Sequence, residues 1–272
     1  MNRIRLIPAL LGATVLAACS KDAIQDVLNG PTAGSYIKFY NFGVNAPSVN
    51  FFANDTKVTA ISSTSCSPPP TPPNPACSST GVESTTGTAY GSLGNAGLYS
   101  SIAPGQYAFT GRISATTDNG LAVAKLTSTL ADGKYYSLFT SGFYDATGKT
   151  MDAFLVEDAF STTIDFTTTS VRFVNASSNS SPMTLYAKNA VTGDSVAIGS
   201  SIAYKSGGVF VTLPPAVYDL TTRIAGSNTA VIVRTGVSFV VGKVYTVSAR
   251  GDMTVVSTTA TNRPFLDNTA NR

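Results

Sequence analysis

Apolar and polar side chains alternate through much of the second half of the chain. In Val217-Tyr218-Asp219-Leu220-Thr221-Thr222-Arg223-Ile224, one face carries Tyr218, Leu220 and Ile224 and the other Asp219, Thr221 and Arg223. From Val244 to Arg250, Tyr245, Val247 and Ala249 face one way, with Thr246, Ser248 and Arg250 opposite. A period of two marks a strand with one buried face. Gln106-Tyr107-Ala108-Phe109-Thr110 and Tyr135-Tyr136-Ser137-Leu138-Phe139 follow the rule more loosely, and Val49 to Ala53 reads as a strand closed by an Asn54-Asp55 turn. Asp118-Asn119-Gly120 and Asp132-Gly133 supply hairpin turns. Short strands at about ten-residue spacing, joined by Gly, Pro and Asn, predict a sandwich and not a parallel sheet.

The pattern is written twice. Tyr36-Ile37-Lys38-Phe39-Tyr40-Asn41 and Ser170-Val171-Arg172-Phe173-Val174-Asn175-Ala176 share the order apolar, basic, Phe, apolar, Asn, which suits a first strand. Ala89-Tyr90-Gly91-Ser92 then answers Ala203-Tyr204-Lys205-Ser206, and Pro104-Gly105-Gln106-Tyr107 answers Pro215-Ala216-Val217-Tyr218. Arg112-Ile113 answers Arg223-Ile224, and Gly133-Lys134-Tyr135-Tyr136 answers Gly242-Lys243-Val244-Tyr245. β proteins reuse Tyr and Pro-Gly turns freely, but landmarks kept in register argue for duplication. The organisation expected is a leader at 1–18, a tether at 19–34, a first module at 35–160, a linker at 161–169, a second module at 170–258 and a tail at 259–272.

These motifs carry a family likeness. Val-Arg-Phe-Val-Asn-Ala, Leu-Pro-Pro-Ala-Val-Tyr and Gly-Lys-Val-Tyr-Thr-Val, ending at Ala176, Tyr218 and Val247, resemble a bacterial envelope family known as domain of unknown function 4397. The likeness covers roughly residues 36–160 and 170–258, with the second copy the closer; the first departs by an insertion around Cys66–Cys77. The resemblance implies all-β architecture, two tandem Ig-like antiparallel β-sandwich domains, and an extracytoplasmic address. It transfers no active site.

The amino-terminal segment fits that address. Arg3 and Arg5 precede the apolar run Leu6–Val15, which is too short to span a bilayer and reads as a signal peptide. Leu16-Ala17-Ala18-Cys19 resembles the bacterial lipobox, which implies a lipidated Cys19 after cleavage. Several acyl chains there would anchor the protein stably. By analogy with Gram-negative sorting, Ser20 after the Cys implies the outer membrane, either its periplasmic face or the cell surface. The tether closes on Asn29-Gly30-Pro31. With Cys19 lipidated, Cys66 and Cys77 remain as an even pair in an oxidising compartment, so a disulfide is expected. The six prolines between them favour polyproline II. Such a stapled loop contributes roughly 2–3 kcal/mol in the chain-entropy model. It reads as an insertion at a loop tip, with a recognition protrusion as the other reading.

Composition narrows the function. The formal charge is +3, but two of the cations lie in the leader, so the mature chain is near neutral and has no counterion-release drive toward nucleic acid. His is absent, which removes the commonest general base and metal ligand, and Glu83 and Glu157 are the only glutamates. No catalytic, metal or cofactor site is expected, and the chain is read as a non-enzyme. Asp152, Glu157, Asp158 and Asp165 gather near the end of the first module, but their spacing fits no calcium loop; a solvated junction is the expectation. Arg112 and Arg223 read as outward strand charges more readily than as an anion site. The role expected is a lipid-anchored envelope protein, attached to the membrane through Cys19, that binds or scaffolds a protein or glycan partner. A structural spacer is the second reading, and a His-independent hydrolase the third, since a fold alone does not choose among functions.

Overall fold

The structure is a computed structural model that describes residues 34–59, 61–62, 82–83 and 87–272. The leader, Cys19, the tether up to residue 33 and the Cys66–Cys77 loop lie outside the described residues. The first half of the chain forms β1 (Ser35–Asn41), β2 (Val49–Ala53), β3 (Thr56–Lys57), β4 (Ile61–Ser62), β5 (Val82–Glu83), β6 (Ser92–Leu93) and β7 (Ser100–Ile102). The longer strands β8 (Gly105–Ile113), β9 (Ala122–Leu130), β10 (Tyr135–Asp145) and β11 (Thr150–Glu157) follow. The second half forms β12 (Thr169–Asn175), β13 (Met183–Asn189), β14 (Ser195–Ile202), β15 (Ser206–Gly207) and β16 (Val211–Leu213). It closes with β17 (Ala216–Ile224), β18 (Ala230–Phe239), β19 (Val244–Arg250) and β20 (Phe265–Ala270).

These strands make two sandwiches of the same topology. In the first, a sheet ordered β11-β10-β1, with β6 and β7 on the free edge of β1, faces a sheet ordered β3-β2-β8-β9. In the second, β20-β19-β12, with β15 and β16 on the free edge of β12, faces β14-β13-β17-β18. The apolar positions of the period-two pattern fill the space between. Ile37, Phe39, Phe51, Phe109 and Leu138 are central to the first core, and Phe173, Leu185, Leu220, Val237 and Val247 to the second.

The all-β sandwich architecture matches the sequence reading, but neither central sheet is purely antiparallel. β1 runs parallel to β10, from Tyr36↔Tyr135 to Asn41↔Thr140, and β12 runs parallel to β19, from Ser170↔Val244 to Asn175↔Ala249. The opening strand of each copy is separated from its parallel neighbour by the whole facing sheet, which supplies the long crossover that parallel pairing requires. The expected tail at 259–272 also differs. It contains β20, which pairs antiparallel with β19 and completes the second sandwich.

A third core lies between the sandwiches. Tyr40, Phe42, Phe139 and Phe154 from the first meet Val174 and Ala176 from the second, with Tyr40 stacked on Phe139 at 4.2 Å and Phe139 on Phe154 at 4.9 Å. Each fully buried side chain of this size contributes about 1.5–3 kcal/mol. Ala33–Arg272 is accordingly a single compact unit. Of the four acids expected at a solvated junction, Asp152, Glu157 and Asp165 are exposed, but Asp158 is buried between the sandwiches. Thr246 and Ser248, the polar face of β19, are sealed against the first sandwich and not presented to water.

Candidate functional site at the joint between the sandwiches

The basic residue of each first-strand motif sits inside this joint. A strand buried on both faces reads as an apolar run, so a lone cation in its middle must find partners across the interface. Arg172 on β12 crosses to the end of β11: its guanidinium pairs with Asp158, donates to the Glu157 carbonyl at 2.8 Å through Nη1, and to Thr246 Oγ1 at 3.0 Å through Nε. Lys38 on β1 makes the reciprocal crossing and donates to the carbonyl of Ala270, at the end of β20. Each cation lies over an aromatic ring, Lys38 over Tyr99 at 4.4 Å and Arg172 over Phe210 at 4.8 Å. The two copies therefore meet about an approximate two-fold relation, β1 against the end of β20 and β12 against the end of β11.

Desolvating an ion pair costs several kcal/mol per ion unless further hydrogen bonds complete it. Here they do. The Asp158 and Arg172 side chains are 0 % and 1 % exposed. Asp158 Oδ2 accepts from Tyr99 Oη at 2.5 Å, Ser137 Oγ at 2.8 Å and Asn271 Nδ2 at 3.3 Å. Asn271 also donates to Tyr99 Oη at 2.7 Å and accepts from Thr246 Oγ1 at 2.8 Å. Burial holds the Lys38 ammonium down to about 8, against the attraction of Asp158 and aided by the charge of Arg172. Burial and the neighbouring Asp158 carboxylate both push the Tyr99 phenol up, so it remains a donor. The arrangement is a closed network that binds one half to the other.

The remaining sequence landmarks have structural roles in both copies. Ala-Tyr-x-Ser is a turn whose third residue is left-handed, Gly91 at φ +76 and Lys205 at φ +63. Its tyrosine reaches across the joint: Tyr90 lies against Arg250 at 5.0 Å, and Tyr204 Oη meets Ser141 Oγ at 2.9 Å and donates to Asp152 Oδ2 at 2.8 Å. A Cβ at Gly91 would stand 2.9 Å from the movable Arg250 guanidinium, and the φ of +76 there is one that glycine adopts without strain. The Pro-x-x-Tyr landmark folds back on itself, with Tyr107 Oη donating to Ala103 O and Tyr218 Oη to Pro214 O, both at 2.8 Å. In Gly-Lys-x-Tyr, Gly133 and Gly242 take positive φ, and Tyr136 and Tyr245 accept from the backbone of Ala131 and Val240.

A family model described as "Domain of unknown function (DUF4397)" matches residues 35–186, more than half of the chain. The chain belongs to this family. The DUF4397 match begins at β1 and ends within β13, so it takes in the whole first sandwich, whereas the sequence motifs put the closer likeness in residues 170–258. No curated protein matches the chain significantly. Among solved structures, the Bacillus anthracis TIE protein is similar at 10% identity over 80% of this chain and 34% of that one, with a TM-score of 0.22. The chain thus spans about a third of that protein's length.

In this DUF4397 protein the four acids near the end of the first copy do not form one cluster. Asp158 is inside the joint, Glu157 pairs with Lys134 at 2.9 Å, Asp152 with Lys205 at 3.0 Å, and Asp165 accepts from Thr167 and Thr168 in the linker. Among the described residues there is no group of three acids or cysteines placed to hold a metal, and no helix long and apolar enough to cross a membrane. Arg112 and Arg223 are not brought together. They lie on the outer sheets of different sandwiches, Arg112 over Phe52 at 4.3 Å and paired with Asp55, Arg223 over Tyr186 at 4.6 Å. Cys19, Cys66 and Cys77 fall outside the described residues. The residues that sequence reasoning missed are Lys38, Tyr99, Arg172 and Asn271. A signal was available for two of them: in Ile37-Lys38-Phe39-Tyr40 and Val171-Arg172-Phe173-Val174 the cation is flanked by apolar residues of both parities.

Proposed function

We propose that this DUF4397 protein is a lipid-anchored component of the bacterial outer membrane that serves as a rigid scaffold for an envelope protein or glycan. The joint carries this reading. Lys38, Tyr99, Asp158, Arg172 and Asn271, the side chains best suited to chemistry, are committed to fastening the sandwiches together. A two-sandwich body without an internal hinge suits holding a partner in place better than closing on a substrate. The partner-binding side of the reading is favoured by the Arg–aromatic pairs that recur at equivalent places on the two outer sheets, since such pairs are common at recognition surfaces. The anchor rests on Leu16-Ala17-Ala18-Cys19 behind the apolar run.

The test is made in intact cells. Mass spectrometry of the amino-terminal peptide should find acyl chains on Cys19, and Cys19→Ser should move the protein out of the membrane fraction. Crosslinking of the anchored protein should then capture a specific partner that is lost when Arg112 and Arg223 are both changed to Ala. An unmodified Cys19 sinks the anchor; crosslinks unchanged by the double substitution sink the outer-sheet surface.

A further inference from the structure

One end of the body collects the places where the chain enters and turns. β1, β10, β12 and β19 all begin there, and β11 and β20 finish there. Gly34, where the chain enters from the amino-terminal segment, accepts from the Gly133 amide in the β9–β10 turn. A run of rings continues from it: Tyr36 stacks on Tyr135 at 4.6 Å, Tyr135 meets Phe160 at 5.0 Å, and Phe160 meets Phe210 at 5.9 Å. Arg272 ties the linker to this end by donating to the carbonyls of Ser161 and Thr162.

The same end exposes large apolar side chains. Phe166 is 78% exposed, Val240 49%, Ile164 44% and Val241 39%. They are neighbours: the Gly242 amide donates to Thr168 O, and a Cβ built on Gly242 would stand 3.3 Å from Ile164 and 4.0 Å from Phe166. A β-sandwich gains nothing from leaving a phenylalanine and three β-branched residues grouped in water, and such grouping marks a contact surface. The charges around it nearly balance. Lys134 pairs with Glu157, Lys243 and Arg272 border the linker, Asp165 turns back onto its own threonines, and Asp132 lies in the β9–β10 turn. The contact is therefore driven by apolar insertion and not by charge.

We propose that Ile164, Phe166, Val240 and Val241 rest on the lipid surface to which Cys19 is anchored, so that the body stands on the membrane by this end. The proposal rests on the anchoring reading above. The bilayer is the occupant because the chain enters at this end, at Gly34, fifteen residues after Cys19. Fifteen residues reach at most about 50 Å, which holds the entry end of the body within that distance of the lipid. Tethering makes the second contact intramolecular, so a few shallowly inserted side chains suffice where a free protein would need many.

The chain has no tryptophan, which gives a clean probe. Phe166→Trp places one indole in the patch. Val256→Trp places one at the opposite end, in the loop after β19, where Val256 is 95% exposed. The full lipidated chain is reconstituted into vesicles of phosphatidylethanolamine and phosphatidylglycerol containing nitroxide-labelled lipid, and Cys19 is checked by mass spectrometry on the same sample. The Phe166→Trp emission should shift to the blue and be quenched roughly two-fold, independent of salt, with Val256→Trp unaffected. A lipidated sample with unquenched Phe166→Trp emission overturns the docking alone, including the case of a blue shift without quenching, which would mean protein cover. Absence of lipid on Cys19 overturns the anchor beneath it.

Discussion

Lys38 and Arg172 occupy equivalent positions, yet one has a carboxylate partner and the other a backbone carbonyl. The difference has a pH signature. Lys38 is 2% exposed and is held at about 8 by burial, below its ordinary 10.5. Between those values the unfolded chain binds a proton that the fold rejects, so stability rises with pH across this window, by up to about 3 kcal/mol. Tyr40 and Tyr99 act in the opposite sense. Burial raises both phenols, so above pH 10 the unfolded chain ionises first and stability falls. Calorimetry should therefore show a melting temperature that climbs from pH 8 toward 10 and drops beyond. In Lys38→Met the climb should vanish while the drop remains. A climb of equal size in the variant would show that another group is responsible.

Among the strands, β15 tests how closely the sandwiches fit. Gly207 pairs with Val174, and a Cβ there would stand 2.7 Å from Val156 on β11 and 3.3 Å from Val174. Gly207→Val should cost about 1–3 kcal/mol in denaturant unfolding, and adding Val156→Ala should restore part of that by making room. No recovery in the double variant would place the cost within the second sandwich. This contact was not legible in the sequence, for a reason that recurs along the chain. Alternation in Val244–Arg250 separates two faces correctly but does not say what covers the second one. Thr246 and Ser248 look like solvent positions and are buried by the other copy. The repeat itself was legible because its landmarks fall at turns and caps that backbone geometry dictates, such as Tyr107 and Tyr218 on their own preceding loops. Asn271 carried no such mark. It matters only because β20 delivers it to Asp158, which lies 113 residues earlier.

Taken together, residues 33–272 should unfold as one body, since the third core and the polar network add to the two sandwich cores. For a chain of roughly 240 residues the calorimetric enthalpy is on the order of 170 kcal/mol, and a van't Hoff enthalpy equal to it is expected. A van't Hoff value near half would mean that the sandwiches melt separately. The parallel pairing of β1 has a mechanical consequence. The amino-terminal segment joins the body at Gly34, where β1 begins, a strand that is hydrogen-bonded to β10 on one side and to β6 and β7 on the other. Tension drawn along that strand loads these bonds together in shear and does not peel them one by one. Under the proposed lipid anchor, a load on the outer body would thus pass to the membrane through a strand paired along both of its edges.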